Sequence, residues 1–432
     1  MVATMADTRA DIGQPGLGEE LRAALIDRYL EGEMPDRASA RRRLSALLAD
    51  QARAGRLRIA IEEQDRLIEE ILDDVLGLGP LEKLLADSEV TEIMVNGPKE
   101  VYVERNGRIE ETRVRFADEA HLMRVIDRIV GAVGRRVDES SPFVDARLLD
   151  GSRVNVVIPP IALKGATLTI RRFPKRKLQA EDFLRLNAAT QPMLDFLRAA
   201  VRARLNILVT GGTSTGKTTL LNILSSFIPD TERIITAEDA AELQLQQRHV
   251  VPLESRPPSL EGKGIVGIRD LVRNALRMRP DRLVVGEVRG PEAMDMIQAM
   301  NTGHDGSMST VHANSPADGL DRLETLAMFS SRDMPPDAVR RQIASALNLV
   351  VHLERLPGGA RKVASICEVV RTAKSVDVAE IFKFVQTGVD SKGDATGYFT
   401  ATGRKPTLLA RLAAYGQSLP EGTFKEVKRD AG

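Results

Sequence analysis

With 432 residues, the chain is too long for one small domain and has room for two or three. Apolar residues make up 43% and charged residues 28%, enough to bury a core, and 61 basic against 61 acidic side chains leave no net charge. That balance argues against the basic stripe of a dedicated nucleic-acid binder, and the single cysteine, Cys367, excludes an internal disulfide or a Cys-rich zinc site and fits a reducing cytoplasm. No apolar run approaches the ~20 residues needed to cross a bilayer, and the N-terminus lacks a signal-peptide pattern, so a cytosolic or peripheral protein is expected.

The first stretch is polar, with one candidate helix carrying Leu21, Leu25 and Tyr29. A second helix is predicted from Ala38, with Arg41, Arg42 and Arg43 on a solvated face. A third, from Glu62 to Leu76, gathers Leu67, Ile68, Ile71, Leu72 and Val75 on one side and stops at Gly77-Leu78-Gly79-Pro80.

From Pro80 to about Pro174 the pattern is that of a small α+β domain. Val101 and Val103 before Asn106-Gly107, with Val114 and Phe116 after, predict a hairpin; Asp118 then caps a helix bearing Leu122, Ile126, Ile129 and Val130. A second hairpin runs from Phe143 to Ile158. Val144, Ala146 and Leu148 can share a face with Val154, Val156 and Ile158 only across an odd loop, here Leu149-Asp150-Gly151 with Gly151 left-handed. The other face then sets Arg147 across from Arg153, with Asp145 and Asn155 beside them. Either Asp145 relieves the repulsion or an anion sits between the arginines.

Strands alternate with helices from Thr190 to Leu353, the pattern of a mostly parallel sheet. Short alternating segments follow (Lys362 to Val370, Val376 to Val385, Tyr398 to Thr400), then a helix near Leu408 to Ala413.

The strongest signal is the apolar strand ending at Thr210, followed by Gly211, Gly212, Thr213, Ser214, Thr215, Gly216, Lys217, Thr218 and Thr219. It matches the phosphate-binding G-x-x-x-x-G-K-[ST] loop in its proper strand-loop-helix context. Glycines let backbone amides wrap phosphates, the helix N-terminus adds positive potential, Lys217 reaches the β- and γ-phosphates, and the Thr218 hydroxyl ligates Mg2+. Downstream, Leu283-Val284-Val285-Gly286-Glu287 describes a buried strand delivering a carboxylate to its C-terminal edge. Gly286 stands where the usual Walker B aspartate would be. Glu287 is expected to orient or deprotonate the attacking water, the alternative being a cap on the helix from Pro291 to Met300.

A second apolar strand ends in Glu238-Asp239, acids suited to a water-mediated Mg2+ shell. His304 and His312 lie in Gly303 to Ser315; their spacing fits no common zinc motif, and a γ-phosphate sensor or a subunit interface is the better expectation. Arg269, Arg273 and Arg277 form one helical stripe, either solvated or a contact between subunits.

These residues resemble the secretion NTPase superfamily, the motors of type II and type IV secretion and of type IV pili. Glu238-Asp239 resembles its Asp box, Gly286-Glu287 its atypical Walker B, and Gly303 to Ser315 its His box. Ala240 to Val251, Arg269 to Arg282 and Met300 to Met308 look like the CpaF/TadA branch, which drives Flp (tight-adherence) pili; conjugation-type type IV secretion ATPases are the nearest alternative. The resemblance begins near Leu78. It implies a RecA-like P-loop ATPase domain over 190–432, an α+β domain over 79–175, a linker over 176–189 and a separate helical region over 1–78. It further implies ATP and Mg2+ as substrate and cofactor, a homohexamer at the cytoplasmic face of the inner membrane, membrane platform proteins as partners, and Arg147 and Arg153 lent to a nucleotide on the RecA-like domain. No direct nucleic-acid partner is expected. A P-loop kinase would need an acceptor pocket and lid that the sequence does not display.

Overall fold

The computed structural model describes residues 36–54, 60–105, 107–173, 178–256, 264–330, 334–371 and 376–426. The candidate helix with Leu21, Leu25 and Tyr29 lies outside them. The chain divides into two compact units, Met1–Lys175 and Arg176–Gly432.

In the first unit, Asp36 caps the helix Arg37–Arg53 through the Ser39 amide. It pairs with the helix Ile61–Leu76, whose Leu67, Ile68, Ile71, Leu72 and Val75 bury against Ala40, Leu44 and Leu48. Arg37 reaches Glu69 and Asp73, and Arg41 reaches Asp65 and Glu69, so exposed ion pairs line this apolar seam. Exposed pairs of this kind add little each; the apolar stripe holds the hairpin.

Six antiparallel strands follow: β1 (Val90–Asn96), β2 (Val101–Arg105), β3 (Arg108–Glu111), β4 (Phe143–Arg147), β5 (Arg153–Val157) and β6 (Thr167–Arg171). Their order is β3-β2-β1-β6-β5-β4. Val154, Val156, Leu168, Ile170, Ile93 and Val95 alternate onto one face and share a core with Leu122, Val125, Ile126 and Ile129 of the helix Glu119–Ala132. Asp118 caps that helix through the His121 amide. The second arm of the first hairpin is shorter than the sequence predicted. It ends at Glu111, and Val114 and Phe116 follow it, Phe116 turning into the core. The second hairpin has the expected register, Arg147 opposite Arg153 and Asp145 opposite Asn155, with Gly151 at φ +91°.

The second unit is built on β7 (Ile207–Gly211), β8 (Ile234–Glu238), β9 (Val250–Glu254), β10 (Arg282–Val285), β11 (Met308–His312), β12 (Leu349–Arg355), β13 (Arg361–Arg371), β14 (Val376–Val389) and β15 (Ala395–Ala401). The nine strands run in the order β15-β14-β13-β12-β7-β11-β10-β8-β9, parallel from β12 to β9 and antiparallel from β12 to β15. The parallel strands are apolar on both sides. Ile207 and Val209 enter one core and Leu208 the other; Val284 and its neighbours Leu283 and Val285 divide the same way. This is why they read as unbroken hydrophobic runs. Within the stretch expected as a linker, Ala180–Arg185 is a helix, and Ala180, Phe183, Ala188 and Ala189 lie in the second unit's core. An apolar face that finds a partner overrides a polar, Pro-flanked composition. No helix among the described residues is long and apolar enough to cross a membrane.

Candidate nucleotide site

Strand β7 lies between β11 and β12, and its chain leaves towards a helix there, so the carboxyl ends of these strands lie at a topological switch point, where ligands bind in open α/β sheets. The loop Gly211 to Gly216 occupies that point and feeds the helix Lys217–Ser226. At Gly211 a side chain is excluded by space as well as by torsion. A Cβ on Gly211 would stand 2.5 Å from Leu353 O and 2.7 Å from Thr215 Oγ1, and Gly216 has φ +98°. Ser214 adopts φ +57°, and its carbonyl accepts from Arg361 Nε at 2.8 Å. Sequence reasoning missed Arg361, the first residue of β13, which lies 147 residues along the chain from Ser214 and carries no local signal.

Lys217 is nearly buried. Its ammonium donates to Gly212 O at 2.8 Å and Gly211 O at 3.1 Å, folding over the loop that a phosphate would fill. Parallel pairing sets His312 level with Gly211, and both His312 ring nitrogens lie 3.5 Å from Lys217 Nζ. On the other side His312 Nε2 is 3.0 Å from Glu287 Oε1, while Glu287 Oε2 is 2.5 Å from Arg289 Nη2. Burial, reinforced by the Lys217 charge, lowers the His312 pKa and keeps the ring neutral at physiological pH. Lys217, His312, Glu287 and Arg289 therefore form one connected series at the carboxyl ends of β7, β11 and β10.

Glu238 ends β8 and is buried; its Oε2 accepts from the Glu242 and Leu243 amides at 2.8 and 3.0 Å. Its Oε1 has no hydrogen-bond partner. Burial outweighs the two amides and raises its pKa to about 7. A Cβ on Gly286 would come within 2.8 Å of Glu238 Cγ. The space that a Walker B aspartate would need is filled from the neighbouring strand. An orphaned carboxylate oxygen here, with the Thr218 hydroxyl on the first turn after Lys217, is a hard oxygen donor set that suits a partly hydrated Mg2+. Asp239, by contrast, is half-exposed and lies 3.7 Å from Arg289.

Several expected residues lie elsewhere. His304 precedes β11 and so stands at the opposite edge of the sheet from His312; its Nδ1 is buried without a hydrogen-bond partner among the described residues. A phosphate sensor at this chain's own P-loop is excluded for it by the length of the strand between. Arg269 and Arg273, on the helix Ile268–Ala275, both bond Asp295, at 2.7 and 2.8 Å. Arg277 lies beyond that helix and donates to Arg273 O. In the first unit, Arg153 pairs on one side with Arg147 and on the other with Arg171, so three arginines stand side by side across β4, β5 and β6. Arg171 escaped the sequence reading because the register of β6 is set by distant pairing, not by a turn.

A family model described as "Type II/IV secretion system protein" matches residues 74–401. The chain belongs to that family. A Mycobacterium tuberculosis protein named as a conjugal transfer protein is 40% identical over 302 residues, 68% of this chain and 84% of the relative. The type IV secretion system protein PtlH of Bordetella pertussis is 36% identical over 314 residues, 66% of this chain and 91% of PtlH. Among solved structures, the pilus retraction motor PilT with bound ADP overlaps 68% of this chain and 83% of its own at 22% identity and a TM-score of 0.50. That likeness concerns the fold, a RecA-like ATPase domain preceded by an N-terminal domain.

Proposed function

We propose that this chain is an ATPase, hydrolysing ATP to ADP and phosphate to drive a type II/IV secretion or pilus machine. One observation carries the reading. The P-loop lysine at the start of its helix, a histidine ending β11 and a carboxylate just past β10 fall in one series, with Lys217 Nζ 3.5 Å from the His312 ring and His312 3.0 Å from Glu287. Lys217 and the loop amides would bind the phosphates, Glu287 would orient and deprotonate water, and His312 would report phosphate occupancy between them. Thr218 and Glu238 would hold Mg2+, which supplies charge neutralisation when bound. Arg147 and Arg153, with Arg171 beside them, would meet the phosphates from the α+β domain. Arg269, Arg273 and Arg277 would serve contacts between subunits of a homohexamer, with Asp295 holding the first two in place.

The motif resemblance to the CpaF/TadA branch supports assembly of Flp pili at the inner-membrane platform. The names of the relatives, conjugal transfer and type IV secretion proteins, favour a second reading as a conjugation-type secretion ATPase. Purified protein should hydrolyse Mg-ATP, and Glu287→Gln should bind it without turnover. Deletion in the native host then separates the two machines: pili vanish in the first case, and DNA or protein transfer is lost in the second.

A further inference from the structure

Arg289 lies between two carboxylates at the ends of neighbouring strands. Its Nη2 is 2.5 Å from Glu287 Oε2, and its Nη1 is 3.7 Å from Asp239 Oδ2. The backbone beneath it is fixed. The Arg289 and Gly290 amides both donate at 2.7 Å to Oε1 of Glu292, a buried carboxylate at the start of the helix Glu292–Asn301. The side chain above that anchor is half-exposed and reaches both acids. In this arrangement Oε2 of Glu287 is held by the guanidinium, while Oε1 is buried beside His312 with no hydrogen-bond partner among the described residues, so neither oxygen is presented to a water. A carboxylate held on one oxygen and covered on the other meets no water until one of those contacts opens.

We propose that Arg289 is a gate on Glu287, holding it out of use in the resting site and passing to Asp239 when nucleotide draws Lys217 off the loop carbonyls. Asp239 is the receiving group and Arg289 a positioning residue. The 3.7 Å separation is short enough to close by side-chain rotation, with no backbone movement. A planar guanidinium suits the task because its fork can hold one carboxylate while approaching the next. The inference rests on the ATPase reading above.

The test is steady-state ATP hydrolysis by the full chain, with nucleotide binding and thermal melting measured alongside. Asp239→Asn removes the receiving carboxylate and is expected to lower kcat about tenfold, the size of coupling seen between neighbouring charged groups, with KM changed less than twofold. In an Arg289→Gln background the same substitution should have no further effect, because nothing remains to be received; in Arg289→Lys, which keeps the charge, sensitivity to Asp239→Asn should return. Asp239→Ser provides a second removal if the amide perturbs folding. Equal fold-losses from Asp239→Asn in both backgrounds would overturn the gate. So would an Arg289→Gln protein that binds ATP normally yet loses turnover more than a hundredfold, since that assigns the guanidinium to the transition state. Wild type and Glu287→Gln serve as controls: if they hydrolyse ATP equally, the ATPase assignment of Glu287 fails, and the gate with it.

Discussion

Glu238 occupies the space that a side chain at Gly286 would need: a Cβ there would sit 2.8 Å from Glu238 Cγ and 3.3 Å from its Oε2. The glycine at the end of β10 and the buried acid at the end of β8 are therefore one feature. Gly286→Asp should destabilise the fold by roughly 1–3 kcal/mol from overpacking alone, and more from bringing a second carboxylate beside a buried one. Pairing it with Glu238→Ala frees the space and should recover much of the loss. Thermal melting of the two single variants and the double variant measures this; additive losses would show that the residues do not compete.

Glu238 also makes the nucleotide-free protein sensitive to pH. Its pKa rises to about 7 in the fold from an ordinary 4.5, chiefly through burial. A carboxyl whose folded pKa is raised contributes stability that is present below its unfolded value and is lost as pH climbs through the folded value. Between about pH 4.5 and 7 the wild type should lose on the order of 3 kcal/mol relative to Glu238→Gln, which does not titrate. Denaturant midpoints at pH 5, 6, 7 and 8 for the two proteins should converge on the acid side and separate on the alkaline side.

Lys217 and Glu287 divide binding from chemistry. Lys217→Ala removes a charge that would contact phosphates in both ground and transition states, so nucleotide affinity and rate should fall together. Glu287→Gln preserves shape but cannot accept a proton, and kcat should drop by about 10² or more with affinity kept. A fluorescent nucleotide titration beside a turnover assay gives both numbers. Near wild-type turnover by Glu287→Gln would remove its assignment as the base.

Local signals made much of this legible. The P-loop could be read because strand, glycines and lysine are contiguous, and the Arg147–Arg153 pairing because a three-residue loop fixes register. The seam of the helix Ile61–Leu76 followed from spacing alone. What stayed hidden depended on strands meeting after long separations: Arg361 on Ser214, Arg171 beside Arg153, and Glu238 against Gly286. His304 shows the converse. It shares a motif with His312, yet a strand carries the two to opposite edges of the sheet.

Three arginines stand abreast on β4, β5 and β6, a concentration of positive charge that suits a phosphate-bearing partner. An arginine supplied to a transferring phosphoryl group is worth several kcal/mol, roughly 10³ or more in rate. Arg153→Ala should therefore cut turnover on that scale while leaving the fold intact. Whether it serves its own chain's P-loop is decided by mixing two inactive proteins. In rings co-assembled from Lys217→Ala and Arg153→Ala chains, service within one chain leaves every site broken, and activity should stay at the level of either parent. Service between chains would pair an intact P-loop with an intact arginine and restore part of the rate. We expect no rescue in that mixture, and rescue when Arg277→Ala replaces Arg153→Ala, the outcome if Arg277, exposed beyond the helix Ile268–Ala275, serves a neighbouring subunit.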